Sequence, residues 1–191
     1  MAGEEGAAMT ARTRTCMALV LLSVCGLTAL AWASLASPLP RLVYNASDSM
    51  AVGWYRVDPP EHRAGSLSRA LHVGSLVLVR LPADAAALAA QRGYLPAHVP
   101  LLKLVRAVAP QKVCVTDGIV RVDGLQVVAA LSTDRMGRPL HAWPFCRQLR
   151  PDELFLLSVT NGASFDSRYF GPVRASAVLG IALPIWLKAK P

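Results

Sequence analysis

The sequence predicts a mainly β protein: an antiparallel β body with one short helix, set behind an N-terminal transmembrane helix. Three observations carry that expectation. The run Cys16 to Ala36 holds no charged residue. From Val43 onward, short apolar runs alternate with Gly, Pro and Asp, as in strands joined by tight turns. A single Ala-rich stretch breaks the rhythm. The expected organisation is a tail over residues 1–15, a membrane span over 16–36 and an exported domain over 37–191.

The span comes first. A helix rises ~1.5 Å per residue, so this run matches a hydrocarbon core of ~30 Å. Arg12 and Arg14 precede it, and Arg41 follows after Pro38 and Pro40. That balance favours a cytoplasmic N-terminus, and Trp32 suits an interfacial anchor. A cleavable signal segment is the rival reading, because Ala31-Trp32-Ala33 and Ser34-Leu35-Ala36 both fit a small-x-small cleavage pattern. The run is longer than the ~7–15 residues of a signal core, which favours a retained anchor. Either way the remainder is exported. The expected place is the inner (cytoplasmic) membrane, single-pass, with the body on the periplasmic side.

The strands follow. Gly74 to Leu81 ends at Pro82. Asp84 can cap a helix over Ala85 to Arg92 that Gly93 closes. Leu101 to Val108 is a strand. Lys112 to Val115, Ile119 to Val122 and Leu125 to Val128 form a meander through Asp117-Gly118 and Asp123-Gly124 turns. Glu153 to Val159 and Ala177 to Leu187 complete the series. The last run is too short to span a bilayer.

Composition narrows the classes. The chain has 191 residues, 53% hydrophobic and 17% charged, which is too apolar for disorder. Its net charge of +8 suits an anionic lipid surface or a nucleic acid. The basic residues are single and spread, without aromatic interleaving, so a lipid bilayer is the expected partner and nucleic acid is not. Among the four cysteines no C-x-x-C occurs. Cys114 and Cys146 can pair as a disulfide in an oxidising compartment, or rest as two small buried hydrophobes. His62, His72, His98 and His141 are scattered. No metal or cofactor is expected, and common hydrolase and nucleotide motifs are absent.

Two segments remain: Ser47-Asp48-Ser49-Met50-Ala51-Val52-Gly53-Trp54-Tyr55, and Leu101-Leu102-Lys103-Leu104-Val105-Arg106-Ala107-Val108. Alternation puts Leu101, Lys103, Val105 and Ala107 on one strand face. A lysine among Leu and Val is either desolvated, which lowers its pKa, or snorkels to water. A neutral amine can act as general base toward a serine hydroxyl.

Here the residues carry a resemblance. Ser49-Met50 behind a membrane helix, with Gly53 and Tyr55, resembles the nucleophile box of type I signal peptidases. Leu101-Leu102-Lys103-Leu104-Val105 resembles their lysine box. Ser164-Phe165-Asp166-Ser167-Arg168-Tyr169-Phe170-Gly171 resembles their last box in the form of the TraF-type conjugative transfer peptidases, as do Gly93-Tyr94-Leu95-Pro96 and Asp134 with Gly137-Arg138-Pro139-Leu140. The pattern departs at Ala51, where proline is usual, at Leu104, where arginine is usual, and at Pro110-Gln111-Lys112.

The resemblance implies a signal-peptidase-like fold and a serine endopeptidase. Ser49 is its nucleophile and Lys103 its base. The Ser49 N–H and the Ser47 hydroxyl are the oxyanion donors. Ser164 either bonds the lysine or is an ordinary turn serine. Asp166 is implied to be catalytic and Arg168 supporting; the plainer reading is a surface ion pair, the two sharing a face if the segment is extended. The implied partner is a membrane-tethered, pilin-like precursor, with hydrolysis and cyclisation both open. A housekeeping signal peptidase and a non-catalytic scaffold subunit are the competing expectations.

Overall fold

In the computed structural model the described residues are 11–35, 41–59, 71–158 and 160–188. The span's expected end at Ala36, the strand end at Val159 and His62 fall outside them. The contacts divide the chain into two units, α1 (Ala11–Leu35) in one and all the strands in the other. The stretch Arg12–Trp32 within α1 is long and apolar enough to cross a membrane, and suggests anchoring there.

The β unit holds two antiparallel sheets. The larger contains β1 (Arg41–Asn45), β2 (Gly53–Asp58), β3 (Leu76–Val79), β4 (Leu101–Val108), β9 (Glu153–Leu157), β10 (Val173–Arg174) and β11 (Val178–Leu187), in the order β1-β2-β11-β3-β4-β9-β10. The smaller contains β5 (Lys112–Thr116), β6 (Ile119–Val122), β7 (Leu125–Ala129) and β8 (Cys146–Gln148), in the order β7-β6-β5-β8. The expected meander is β5-β6-β7. Its turns need left-handed backbone, and Asp117, Gly118, Asp123 and Gly124 have φ of 52, 70, 50 and 84°. Asp and Gly adopt that region at low cost.

Alternation along the strands sorts the core. Val77, Val79, Val105, Leu154 and Leu156 pack together on one face of the large sheet. Tyr55, Val57, Leu78 and Leu102 pack on another. Ala107, Phe155 and Leu157 join Val113, Val115 and Val120 to tie the two sheets together. The expectation that Ala107 shares the face of Lys103 and Val105 is corrected by a bulge. The β4–β9 register shifts between Val105 and Ala107. Arg106 takes up the extra position, and Ala107 turns toward Phe155.

Helices differ from expectation in two ways. The Ala-rich helix, α2 (Ala83–Gln91), begins before Asp84, with Pro82 at its N-cap and no side-chain cap. Asp84 lies in the first turn, where its charge favours the helix dipole. A second short helix, α3 (Ser167–Phe170), and a 3₁₀ turn at Ala175–Ala177 also form, so one short helix is too few. The strands β1 and β2, which sequence reading did not single out, flank the Ser49 segment and pair Tyr44 with Trp54.

Cys114 and Cys146 face each other across β5 and β8 and form a disulfide 32 residues apart. A loop of that size restrains the unfolded chain by about 3–4 kcal/mol in the chain-entropy account. The double variant Cys114→Ser/Cys146→Ser is therefore expected to lose stability of that order in chemical denaturation. Reducing the native protein should reproduce the loss, and should change nothing in the variant.

Candidate active site

The loop between β1 and β2 carries Ser47 and Ser49. It is held by few atoms. Asn45, at the end of β1, donates from Nδ2 to the carbonyls of Ser47, Met50 and Ala51, each at 3.0 Å. The buried Tyr55 hydroxyl donates to the Ala51 carbonyl at 2.6 Å. Gly53 closes the loop where β2 meets β11; a Cβ there would lie 2.2 Å from the Trp186 carbonyl oxygen, so no larger residue fits. The Ser47 and Ser49 hydroxyl oxygens are 2.9 Å apart.

Lys103 comes from β4, opposite Val77, with its side chain 1% exposed. The snorkelling alternative is excluded, since the ammonium end is inside. Nζ donates to Ser164 Oγ at 2.7 Å. Burial drives the Lys103 pKa down to about 8, Asp166 pulls it up, and Arg168 pushes it down. Desolvation wins because the apolar strands β3, β4 and β9 surround the group on its own sheet.

Ser47, Ser49, Lys103 and Ser164 all line one cavity of about 610 Å³. Among the described residues no hydrogen bond joins Ser49 to Lys103. Across the cavity stands a lip made from the end of α2 and the loop after β7. Asp134 fastens it: Tyr94 donates to its Oδ2, Arg138 Nε donates to the same oxygen at 2.7 Å, and the N–H groups of Met136 and Arg138 donate to Oδ1. Burial raises this carboxyl's pKa, but those bonds overcome it and hold the group well below the usual range. Arg92 donates to the Pro139 carbonyl, and Arg138 to that of Arg92.

Asp166 and Arg168 lie behind the cavity, both fully buried, which corrects the surface ion-pair reading. The segment is not extended either. Asp166 is the N-cap of α3, accepting from the Arg168 N–H. Arg168 donates from Nε and Nη2 to the two Asp166 oxygens at 2.8 Å each. Ser158 N–H also donates to Asp166, at 2.9 Å. The rest of the guanidinium serves carbonyls of Ala129, Gly162, Asn161 and Ser164. Asp166 thus spends its oxygens on Arg168 and Ser158, and supports the Ser164 loop from behind. Asn45 and the Asp134 lip were not read as a positioning framework. An Asn before a turn that it can bond is the signal that could have found the first.

Comparison with known proteins decides the family. A family described as "Signal peptidase, peptidase S26" matches residues 14–187. The chain belongs to the signal peptidase family, peptidase S26. It is 37% identical over 150 residues to "Conjugal transfer protein TraF" of Agrobacterium fabrum, covering 71% of this chain and 84% of that one. It is 38% identical over 146 residues to "Probable conjugal transfer protein TraF" of Sinorhizobium fredii, covering 68% and 76%. Among solved structures, a signal peptidase I from Enterococcus faecalis aligns at 13% identity with a TM-score of 0.35, covering 58% of this chain and 95% of that one. The chemistry of signal peptidase S26 proteins is that of serine peptidases. Among the described residues no three His, Cys, Asp or Glu side chains gather to hold a metal.

Removing one partner from a buried pair leaves an uncompensated charge, which costs about 3–5 kcal/mol. Arg168→Met should lower unfolding free energy by that amount in denaturant titrations of the detergent-solubilised chain. Arg168→Lys should rescue little of it, because one ammonium cannot serve acceptors on so many sides. A loss below about 1 kcal/mol in both would mean that the pair is solvated.

Proposed function

We propose that this protein is a membrane-anchored serine endopeptidase of conjugative transfer, using Ser49 as nucleophile and Lys103 as base on a membrane-tethered, pilin-like precursor. One observation carries the reading: two segments distant in sequence bring a serine hydroxyl and a desolvated lysine into one cavity. Ser49 Oγ bonds the scissile carbonyl carbon, and its proton passes to the neutral Lys103 amine. The carbonyl π pair moves onto oxygen, where the Ser49 N–H and the Ser47 hydroxyl receive it. Collapse breaks the C–N bond, and Lys103 returns the proton to the leaving amine. Ser164 aims the lysine, and Asp166 with Arg168 positions Ser164. Water then releases the acyl group. If an amine of the substrate does so instead, the product is cyclic.

The names of the TraF relatives support the conjugative setting. The surface of the β unit supports a bilayer partner. Tyr44, Trp54 and Trp186 stand in one row across β1, β2 and β11, with Leu42 and Leu183 flanking Arg56 in the next, and all are exposed. Trp and Tyr rings favour the membrane–water interface. In this reading the anchor lies in the inner membrane and the catalytic unit on its periplasmic side.

The base sets the pH dependence. With a Lys103 pKa of about 8, kcat/KM should rise with pH and level off above that value. Ser49→Ala and Lys103→Ala should each abolish processing in folded protein. Lys103→Arg should be inactive at every pH, since a guanidinium stays charged. The assay is mass spectrometry of precursor peptide across a pH series. A product lighter by one water than the linear form marks cyclisation. Substantial turnover by folded Lys103→Arg would remove the dyad.

A further inference from the structure

We propose that Asn45 is a positioning residue for this reaction, holding the backbone of the Ser49 turn in place while the two serine hydroxyl protons, whose resting directions its Oδ1 sets, are redirected; the inference rests on the Ser49–Lys103 reading. Asn45 is 8% exposed. Its Oδ1 accepts the Ser47 N–H at 3.2 Å and the Ser47 hydroxyl at 2.9 Å. Its Nδ2 meets three carbonyl oxygens on the two arms of the turn, Ser47 before Ser49 and Met50 and Ala51 after it. Turned over, the amide would set its oxygen against those three oxygens, so the assignment is fixed by its surroundings.

The proton inventory then has one solution. A carboxamide oxygen accepts and cannot donate, so the Ser47 proton is spent on Asn45. A hydroxyl has one proton, and the 2.9 Å contact between Ser47 and Ser49 must therefore run from the Ser49 O–H to Ser47 Oγ. The resting nucleophile points its proton at Ser47, while Lys103 is engaged with Ser164. Acylation needs both hydroxyls to turn. Ser49 swings its proton to the Lys103 nitrogen, and Ser47 leaves Asn45 to donate to the oxyanion. Asn45 keeps the Ser47 N–H and the three carbonyls throughout, so the turn holds while its protons are redirected.

The test uses the full chain in detergent with a precursor peptide. Asn45→Ala should lower kcat ten- to a hundredfold, with KM within about threefold. The apparent pKa of the rising limb should stay where the wild type has it, because Lys103 is untouched. Asn45→Asp is isosteric; it keeps both bonds to Oδ1 and loses the three donated ones, and its kcat should fall as well. The loss from Asn45→Ala should persist in a Ser47→Ala background, since the bonds to the three carbonyls and the Ser47 N–H hold the turn whether or not that hydroxyl is present. Circular dichroism establishes that each variant is folded. The inference is overturned if both Asn45 variants keep kcat within twofold of wild type, if the effect lies in KM alone, or if the loss from Asn45→Ala vanishes in the Ser47→Ala background. Unimpaired Asn45 variants beside an inactive Ser49→Ala would remove this inference alone; an active Ser49→Ala would remove the dyad reading beneath it.

Discussion

The Arg168 guanidinium is the point on which the rest of the site leans. It sits fully buried where the end of β7, the loop after β9 and α3 converge. An apolar side chain in its place would leave the buried Asp166 carboxylate and the buried Ser164 carbonyl without their partner. An unsatisfied buried carbonyl is costly, whereas a fork of five N–H donors reaches several at once. Asp166 makes the charge tolerable and is itself neutralised by it. Trp143 N–H donates to the Arg168 carbonyl, which ties the pair to the segment before β8. The chain of support runs from Asp166 through Arg168 to the Ser164 carbonyl, and from the Ser164 hydroxyl to Lys103.

That support explains why a lysine can be kept so far from water. Its folded pKa, about 8, lies below the ordinary value near 10.5. The unfolded chain therefore binds more protons than the folded one between those two values, and stability rises with pH across that window. At neutral pH the fold carries an unfavourable contribution from this side chain. A device for stability alone would place an apolar residue there. The cost is intelligible if the amine must give up its proton near physiological pH.

Much of this was legible in the residues, and the gaps have physical causes. The Asp-Gly pairs at 117–118 and 123–124 mark the meander because few other residues accept left-handed backbone cheaply. A lysine within Leu101–Val108, in order with the serine and aspartate boxes, marked segments that the fold brings around one cavity. Period-two reading failed at Ala107, because a bulge at Arg106 is a property of the pairing with β9 and not of either strand. It missed β1, too short to show a period, although the alternation of Gly53, Tyr55 and Val57 with Trp54 and Arg56 in β2 was there to see. Burial of Asp166 and Arg168 is set by segments far away in sequence, Ala129 and Gly162 among them, and charged residues ordinarily stay at the surface.

In the proposed reading, the turn that carries Ser49 joins delivery to chemistry with little chain. It is the connection between β1 and β2, and those strands carry the exposed Tyr44 and Trp54, whose rings lie 5.2 Å apart. The same two strands point Tyr55 and Val57 into the core, so the sheet cannot shift toward the apolar surface without moving Ser49. Gly53 adds the tightest constraint, with its backbone pressed against Trp186 of β11. The exposed rings and Ser49, carried on one hairpin, share one reference frame. Under the proposed function, a substrate held by the same bilayer would arrive in two dimensions, at raised effective concentration. In the proposed reading the turn needs only to redirect two hydroxyl protons, while Asn45 holds the backbone that carries them.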